Sequence, residues 1–552
     1  MVKQQAAIRE IWMVSREYGT LAGAGGVKDV VSQLAMSLGR WSGRSVHVVL
    51  PCYGFMDPEE LGFSLLADPL HPESSLGFEV DLNYADSERR ERIRVWTSRQ
   101  ERVNIYLLDA EHFREKQAVY TYTAEEEASQ SWQIKGEGHF DYFAMNILLQ
   151  KGSLALMMLL DAHPDVIHCH DGHTAVLPAM IAEHSGLRHY FRSSGCVITV
   201  HNAGMGYHQE VADLDFAHAA TGLPMSTILH SRLEGRFDPF LAGATTAVMN
   251  AVSENYAREL RETSDDRLTG WLGHILLERG VVLEGVTNGI DPDVFSAKDH
   301  KRAGIAAPFD PLGDKELNGK VQCKESLLQL LAEKNEVAGV RQSGFLASDS
   351  ATPLVSFIGR LSGQKGVDIL TGALAELLAE RKDFSFLLLG TGSRQDEEGL
   401  VQLAEQKENL GRVCILRGYD TKLANKIYAA GDFFLVPSRY EPCGLTDFIA
   451  QLFGNLPIVN HVGGLVKVID GETGFAYQRQ SVSELAQAIR RALQLYEKDP
   501  AAIRRMQRQA VELIHEQYTW TTVSKQYMEL YQKAVEKRMA ERKGTPGYQG
   551  SN

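Results

Sequence analysis

The sequence predicts an α/β protein made of two consecutive domains, each a largely parallel sheet covered by helices on both faces. Three observations lead there. Short apolar runs alternate with amphipathic helical stretches from one end of the chain to the other. Most of those runs are apolar on both pleat faces, as strands buried under helices on both sides must be. The runs also fall into two series, parted by an irregular segment bearing Pro and Gly over 291–320.

The first series places strands at 11–15, 46–51, 103–108, 165–168, 197–201, 247–252 and 281–287. The second places them at 355–359, 384–390, 413–416, 433–437 and 456–459. Helical periodicity fills the gaps, for example over 29–38, 367–378 and 423–430. Strand, helix, strand repeated in this way implies two Rossmann-like domains, over 1–285 and 286–505. Loops at the carboxyl ends of their strands would face a ligand in a central cleft between the domains. A long charged helix is expected over 500–538, and a flexible tail over 539–552. Between 70 and 102 acids and bases mix without period, which reads as a surface excursion.

The chain has 552 residues, 44% hydrophobic and 23% charged, ordinary for a globular protein with a sizeable core. Its net charge of −14 repels phosphate backbones at long range, so nucleic acid and anionic membranes are not expected partners. The six cysteines (Cys52, Cys169, Cys196, Cys323, Cys414 and Cys443) are scattered, with no C-x-x-C pair. Neither a disulfide framework nor a zinc site is expected from that spacing. No apolar run suits a signal peptide or a bilayer span, so a cytoplasmic protein is expected.

Several strand ends carry chemistry. Gly359-Arg360-Leu361-Ser362-Gly363-Gln364-Lys365-Gly366 follows a buried strand and precedes a helix. Two cations on such a turn suit a diphosphate, although a solvated loop with ordinary surface cations reads the same way. Pro437-Ser438-Arg439-Tyr440-Glu441-Pro442-Cys443-Gly444-Leu445-Thr446 leaves another strand. Its carboxylate is placed to bond sugar hydroxyls or balance developing positive charge; alone, it would more often be a helix-start charge. Gly463-Gly464-Leu465 offers backbone amides to an anion or a sugar, or is only a turn.

In the first half, Gly23-Ala24-Gly25-Gly26 precedes a helix that carries Asp29, and its small residues let a backbone approach a ligand. It is not a clean G-x-G-x-x-G, which argues against a nicotinamide dinucleotide. His168, His170, Asp171 and His173 cluster at a strand end, and His201-Asn202 at another. The H-x-H-D-x-H spacing invites a metal, but polar residues capping strands explain it at less cost. P-loop, nucleophile-elbow and zincin signatures are all missing from the sequence.

Six motifs in order resemble the bacterial glycogen synthase and plant starch synthase family. They are Gly25-Gly26-Val27-Lys28-Asp29-Val30, His168-Cys169-His170-Asp171-Gly172-His173, Val200-His201-Asn202, Asn288-Gly289-Ile290-Asp291, 360–366 and 437–446. Gly463-Gly464-Leu465 adds a seventh, and the resemblance runs from about residue 11 to 518. It implies a GT-B glycosyltransferase that moves glucose from ADP-glucose, or sometimes UDP-glucose, to an α-1,4-glucan or maltooligosaccharide with retention. The nucleotide sugar would be a substrate, with no bound metal and no cofactor.

By the same resemblance, Arg360 and Lys365 neutralise the leaving diphosphate and Glu441 sits by the donor glucose. His201 lies beside the reacting carbon, and Asp171 supports the sugar and acceptor side. Gly25, Gly26, Asp29, Asn288, Cys443, Gly444, Leu445, Thr446, Gly463 and Gly464 complete the donor-binding set. The C-terminal helix, over 506–538, crosses back to the N-terminal domain.

The sequence departs from that pattern at four places. The family's glycine loop begins K-x-GG, and Gly23 stands where its lysine would be. Either Lys28 or another cation substitutes, or the chain is a slow, altered or non-catalytic relative; on the first view Gly23→Lys raises or preserves activity. Gly172 replaces the tryptophan of HDWH, and Ala203-Gly204-Met205-Gly206 alters the loop after His201-Asn202. Ile449 stands where some relatives place a second glutamate.

Overall fold

The computed structural model describes residues 8–333, 336–337, 339–347 and 349–544. The chain forms two compact units, one drawn from residues up to Gly289 and from Trp520 onward, the other from Ile290–Thr519.

The first unit contains β1 (Glu10–Val14), β2 (Ser45–Pro51), β3 (Ser64–Leu65), β4 (Gly77–Asp81), β5 (Arg90–Gln100) and β6 (Val103–Asp109). β7 (Val166–His170), β8 (Gly195–Val200), β9 (Arg232–Leu233), β10 (Arg236–Phe237), β11 (Ala247–Ala251) and β12 (Leu283–Gly285) follow. Ten of these make one sheet in the order β12-β11-β8-β7-β1-β2-β6-β5-β3, with β4 on β5. From β12 to β6 every pairing is parallel. β7 and β8 are buried at every residue, the polar His168, His170 and Thr199 included.

The stretch over 70–102 is more than an excursion. β4 and β5 extend the sheet by antiparallel pairing. Ile93 and Val95 of β5 are buried while its arginines are exposed or half-exposed. A strand solvated on one face alternates, and its charges hide the apolar half of the pattern. Helix Tyr142–Leu159 is the one described helix long and apolar enough to cross a membrane, and 72% of that stretch is buried inside the protein. It is a core helix.

The second unit holds β13 (Glu336–Val337), β14 (Val340–Leu346), β15 (Leu354–Ile358), β16 (Ser385–Gly390) and β17 (Arg412–Arg417). β18 (Phe433–Val436), β19 (Leu456–Asn460) and β20 (Phe475–Tyr477) complete it. The order is β13-β14-β17-β16-β15-β18-β19-β20, parallel from β17 to β20. Leu387, Leu389 and Leu416 pack into one apolar layer. Phe386, Leu388 and Ile415 pack into the other, so the sheet is buried on both faces.

The single helix expected over 500–538 is two helices. Pro500–Leu513 ends in a π-turn, Ile514–Tyr518; Thr519 is extended, and a new helix, Trp520–Gly544, begins. Ile514 is buried with Ile290, Phe448, Leu452 and Val511, while the Ile290 N–H donates to the Tyr518 carbonyl at 2.8 Å. Tertiary packing therefore breaks a helix whose own periodicity runs on. The second helix continues through 539–544, where a tail was expected; 545–552 lie outside the described residues.

Trp520–Gly544 belongs to the first unit. The Trp520 indole N–H donates to Gln33 Oε1 at 2.7 Å, and Tyr531 Oη lies 2.9 Å from His168 Nδ1. A Cβ on Gly195 of β8 would stand 2.6 Å from the Ala534 carbonyl carbon and the Val535 nitrogen of this helix. Gly195→Ala should accordingly cost roughly 1–3 kcal/mol by overpacking. Urea denaturation measures it, and undiminished stability would contradict this seating of helix on strand.

Candidate active site

In the second unit, β15, β18 and β19 are neighbours in the sheet. Parallel strands end at the same edge, so the loops 359–366, 437–446 and 461–467 are brought together there. Lys365 Nζ donates to Glu441 Oε2 at 2.6 Å, and the Ser438 hydroxyl donates to the same oxygen at 2.8 Å. Glu441 is 9% exposed. Burial pushes its carboxyl up, but Lys365, Ser438 and the charge of Lys467 outweigh that and hold it below the usual carboxylate range. Arg360, on the same loop as Lys365, is exposed.

The two long loops are also sewn to each other. The Arg439 backbone N–H donates to the Gln364 carbonyl at 2.9 Å, and its guanidinium to Gly363 O at 2.6 Å and Asp368. Gly366, at φ +69°, has no room for a side chain because a Cβ would overlap the Pro437 carbonyl oxygen.

The glycine pair reads in the sequence as amides for an anion or sugar, or as only a turn; in the structure the Gly464 N–H donates to the Glu441 carbonyl at 2.9 Å. A Cβ on Gly463 or Gly464 would overlap the carbonyl oxygen of Glu441 or Cys443 respectively. These glycines let one loop's backbone lie against the other's. Cys443 and Gly444 are buried, while Leu445 and Thr446 are half-buried, with Thr446 opening helix Thr446–Leu452. Ile449, on that helix, packs against the apolar cluster of Phe448, Leu452 and Ile514.

In the first unit, β7 and β8 are adjacent, and their ends bring Asp171 and His201 together. Asp171 takes φ +59°, and its Oδ1 accepts the backbone N–H groups of His201 (2.6 Å) and Asn202 (3.3 Å). Burial pushes the Asp171 carboxyl up to about 8 against those bonds. Burial pushes His201 down to about 3, so its ring is neutral at pH 7, and His170 Nδ1 lies 3.0 Å from its Nε2.

His168 belongs to the core, between Tyr531 and Thr199. His173 is buried with its ring on Tyr120. Among the described residues, the one group of possible ligand atoms close enough for a metal is His112, Glu115 and Asp141, none of them in this cluster. There the Lys116 ammonium already lies 2.9 Å from Asp141. Asn288 is buried, its backbone N–H on the Val252 carbonyl at 3.2 Å.

Glu17, just past β1, is a member of this cluster that sequence reasoning missed. It is 2% exposed, and its Oε2 accepts the N–H groups of Ala24 (2.8 Å) and Gly25 (3.2 Å), while Tyr120 donates to Oε1 at 2.5 Å. The amides of Ala24 and Gly25 in the glycine loop are thus held by a carboxylate of the chain itself. Gly26 caps helix Val27–Gly39, and burial raises Asp29 on its first turn, with Lys28 opposing and Glu17 adding. The only signal for Glu17 in the sequence is its place at the end of a buried strand.

Two of the departures have local causes. At Gly172 a Cβ would overlap the His208 carbonyl oxygen and stand 2.6 Å from its carbon, so the backbone at 207–208 fills the space of a side chain. His208 pins that loop, its Nδ1 2.6 Å from Asp238 Oδ2 and its Nε2 2.7 Å from the Ala203 carbonyl. The carboxylate and the carbonyl favour the protonated ring, and together they hold His208 above the ordinary imidazole range against its burial. At Gly23 a Cβ would meet the Cβ (2.7 Å) and Cγ (2.9 Å) of Lys28, whose stem folds over the glycine. Gly23→Lys must therefore displace Lys28 rather than add a cation beside it.

Residues 10–274 match the family described as starch synthase catalytic domain, and 352–495 match glycosyl transferases group 1. The glycogen synthase of Geotalea daltonii is 31% identical over 543 residues, covering 96% of this chain and 99% of that protein. Glycogen synthase 2 of Geobacter sulfurreducens is 30% identical, covering 96% and 99%. Among solved structures, the catalytic domain of starch synthase IV from Arabidopsis thaliana, bound to ADP and acarbose, superposes with a TM-score of 0.75. It is 24% identical and covers 96% of this chain and 100% of its own. Sucrose-phosphate synthase of Thermosynechococcus elongatus gives 0.54 at 19% identity, covering 96% and 99%. These likenesses carry the fold.

The Asp171 carboxyl makes a pH prediction. Its folded value of about 8 lies above the ordinary 3.8, so the folded chain holds the proton more tightly than the unfolded one. Its contribution to stability is complete below the ordinary value and is lost as pH rises toward about 8. Asp171→Asn removes that slope. The difference in unfolding free energy between wild type and variant should shift toward the variant with rising pH and level off above pH 8; a difference independent of pH would contradict the assignment.

Proposed function

The chain belongs to the glycogen synthase family of GT-B glycosyltransferases, and on that premise we propose that it carries glucose from ADP-glucose to the non-reducing end of an α-1,4-glucan, with retention. The observation that carries this reading is the Lys365–Glu441 pair at 2.6 Å, at a strand edge that also bears Arg360. Lys365 and Arg360 take the diphosphate and stabilise its charge as it leaves, a task for which other transferases use a metal. The reaction so read needs no resident metal or cofactor. Glu441, ionised, takes the hydroxyls of the donor glucose. Cys443, Gly444 and Thr446 follow on the same loop and frame it.

On the acceptor side, Asp171 fixes the backbone at His201 through its 2.6 Å bond. That orients the adjoining carbonyl, the group we assign to the oxocarbenium-like carbon. A neutral His201 ring suits this place, because an imidazolium would oppose the positive charge developing there. At neutral pH Asp171 keeps a proton for a sugar hydroxyl. Gly25, Gly26 and Asp29 shape the loop beside Glu17. Lys28, folded over Gly23, supplies the cation that the glycine cannot.

Transfer of radiolabelled glucose from ADP-glucose and from UDP-glucose to glycogen tests the reading. Arg360→Ala should lower turnover by roughly 10²–10³-fold with the fold intact by circular dichroism, and Lys365→Ala by as much while also lowering the melting temperature, because it leaves Glu441 without its cation. Ordinary turnover in both would remove the donor site from this loop, and glycogen binding without ADP release in the wild type would mark a non-catalytic relative. Lys28→Ala should forfeit about 2–4 kcal/mol of transition-state stabilisation. An unchanged rate would show that the loop works without a cation.

A further inference from the structure

Below the donor loops sits a charged residue that the reaction as described does not use. Lys467 closes the turn Gly463–Lys467, and its side chain is 4% exposed. Its ammonium donates to the carbonyls of Cys443 (2.5 Å), Gly444 (2.8 Å) and Gly464 (3.1 Å), and lies 3.0 Å from Asp447 Oδ2. The Phe448 ring closes over it, centroid 4.4 Å away. Asp447 is itself fully buried. An ammonium has three protons, and here at least four oxygens compete for them. None is left for a ligand.

We propose that Lys467 is a positioning residue of the donor site, a fixed internal cation that clamps loop 437–446 to the turn 463–467. The proposal rests on the reading that this loop holds the nucleotide sugar. Three buried carbonyls from two separate loops converge on one point, an arrangement that repels itself unless a cation sits at the centre. The conformations around it are ones that need holding. Gly444 takes φ +75°, and a Cβ there would stand 2.7 Å from Asp447 Oδ1 and 3.2 Å from Lys467 Nζ. Gly463, at φ +52°, packs its backbone on that of Glu441. Asp447 balances the charge, so the clamp adds no net charge to the unit. Because Lys467 also lies close enough to favour ionised Glu441, it acts on the sugar-binding carboxylate through backbone and field while touching no substrate.

The test uses the full chain in two variants, Lys467→Met and Lys467→Met/Asp447→Leu. The single variant strands a buried carboxylate and should lose stability, which alone says nothing about the donor. The double variant removes both charges, and replacing a buried pair by apolar side chains of similar size is often tolerated. Its melting temperature should return toward wild type. Its kcat/KM for the nucleotide sugar should stay at least about tenfold low, while KM for glycogen stays within about twofold. ADP affinity by calorimetry should fall in parallel. Wild-type donor kinetics in a folded double variant, or a defect confined to the glycogen KM, would overturn the clamp. A wild-type enzyme that uses no nucleotide sugar would overturn the proposed function itself, and this assignment with it.

Discussion

The second unit is organised around keeping one buried carboxylate charged. Glu441 is 9% exposed, and an uncompensated carboxylate at that depth costs several kcal/mol, enough to erase much of a domain's stability. Lys365 meets that cost directly at 2.6 Å, with Ser438 bonded to the same oxygen. Further bonds tie the neighbouring loops to these three groups. Arg439 ties the loop of Glu441 to the loop of Lys365, and Gly464 ties it to the following turn. The proposed chemistry inherits a consequence. A diphosphate that takes Lys365 competes with Glu441 for it, so donor binding and the charge state of the sugar-binding group are coupled through one ammonium.

Glycines bear on how the sequence should be read. A glycine at a strand end suggests a ligand that must come close, and Gly463-Gly464 and Gly23–Gly26 invite that reading. At Gly463 and Gly464 the close neighbour is the protein's own backbone, while the space beside Gly25 is open. Gly366, Gly463, Gly464 and Gly172 each leave room for another segment's backbone carbonyl, and the amides of Ala24 and Gly25 are taken by Glu17. Sequence spacing tells that something approaches the backbone; it does not tell what. The same lesson accounts for Gly172, where the loop pinned by His208 fills the space of a side chain.

The parallel strands from β12 to β6 and from β17 to β19 were legible because burial on two faces favours a largely apolar run, whereas the short or edge strands β3, β13, β14 and β20 carried no such signal. β4 and β5 were not legible either, since a half-solvated edge interleaves arginines with Ile93 and Val95. The break at 514–519 was invisible for the opposite reason: helical periodicity continues on both sides, and only the burial of Ile514 beside Ile290 and Phe448 decides against it. Arg360, Lys365 and Glu441 lie at one strand edge and Asp171 and His201 at another, groupings that their places at strand ends in the sequence already suggest. Glu17 and Lys467 could not be picked out. A lone charge in a sequence looks like solvated surface, and only three-dimensional convergence of acceptors or amides around it shows otherwise.

Near β1, the amides of Ala24 and Gly25 hold Glu17. Beside β19, the Gly464 amide holds Glu441's carbonyl. In the proposed reading the diphosphate is met by side-chain cations, Arg360 and Lys365, which stand on one loop of the second unit. Such cations attract at longer range than an amide and move with their stems, so they can follow a leaving group as its charge grows. In this light Gly23 is one part of a local exchange. The space that a side chain there would need is taken by the stem of Lys28, five residues on, and the loop keeps one cation rather than two.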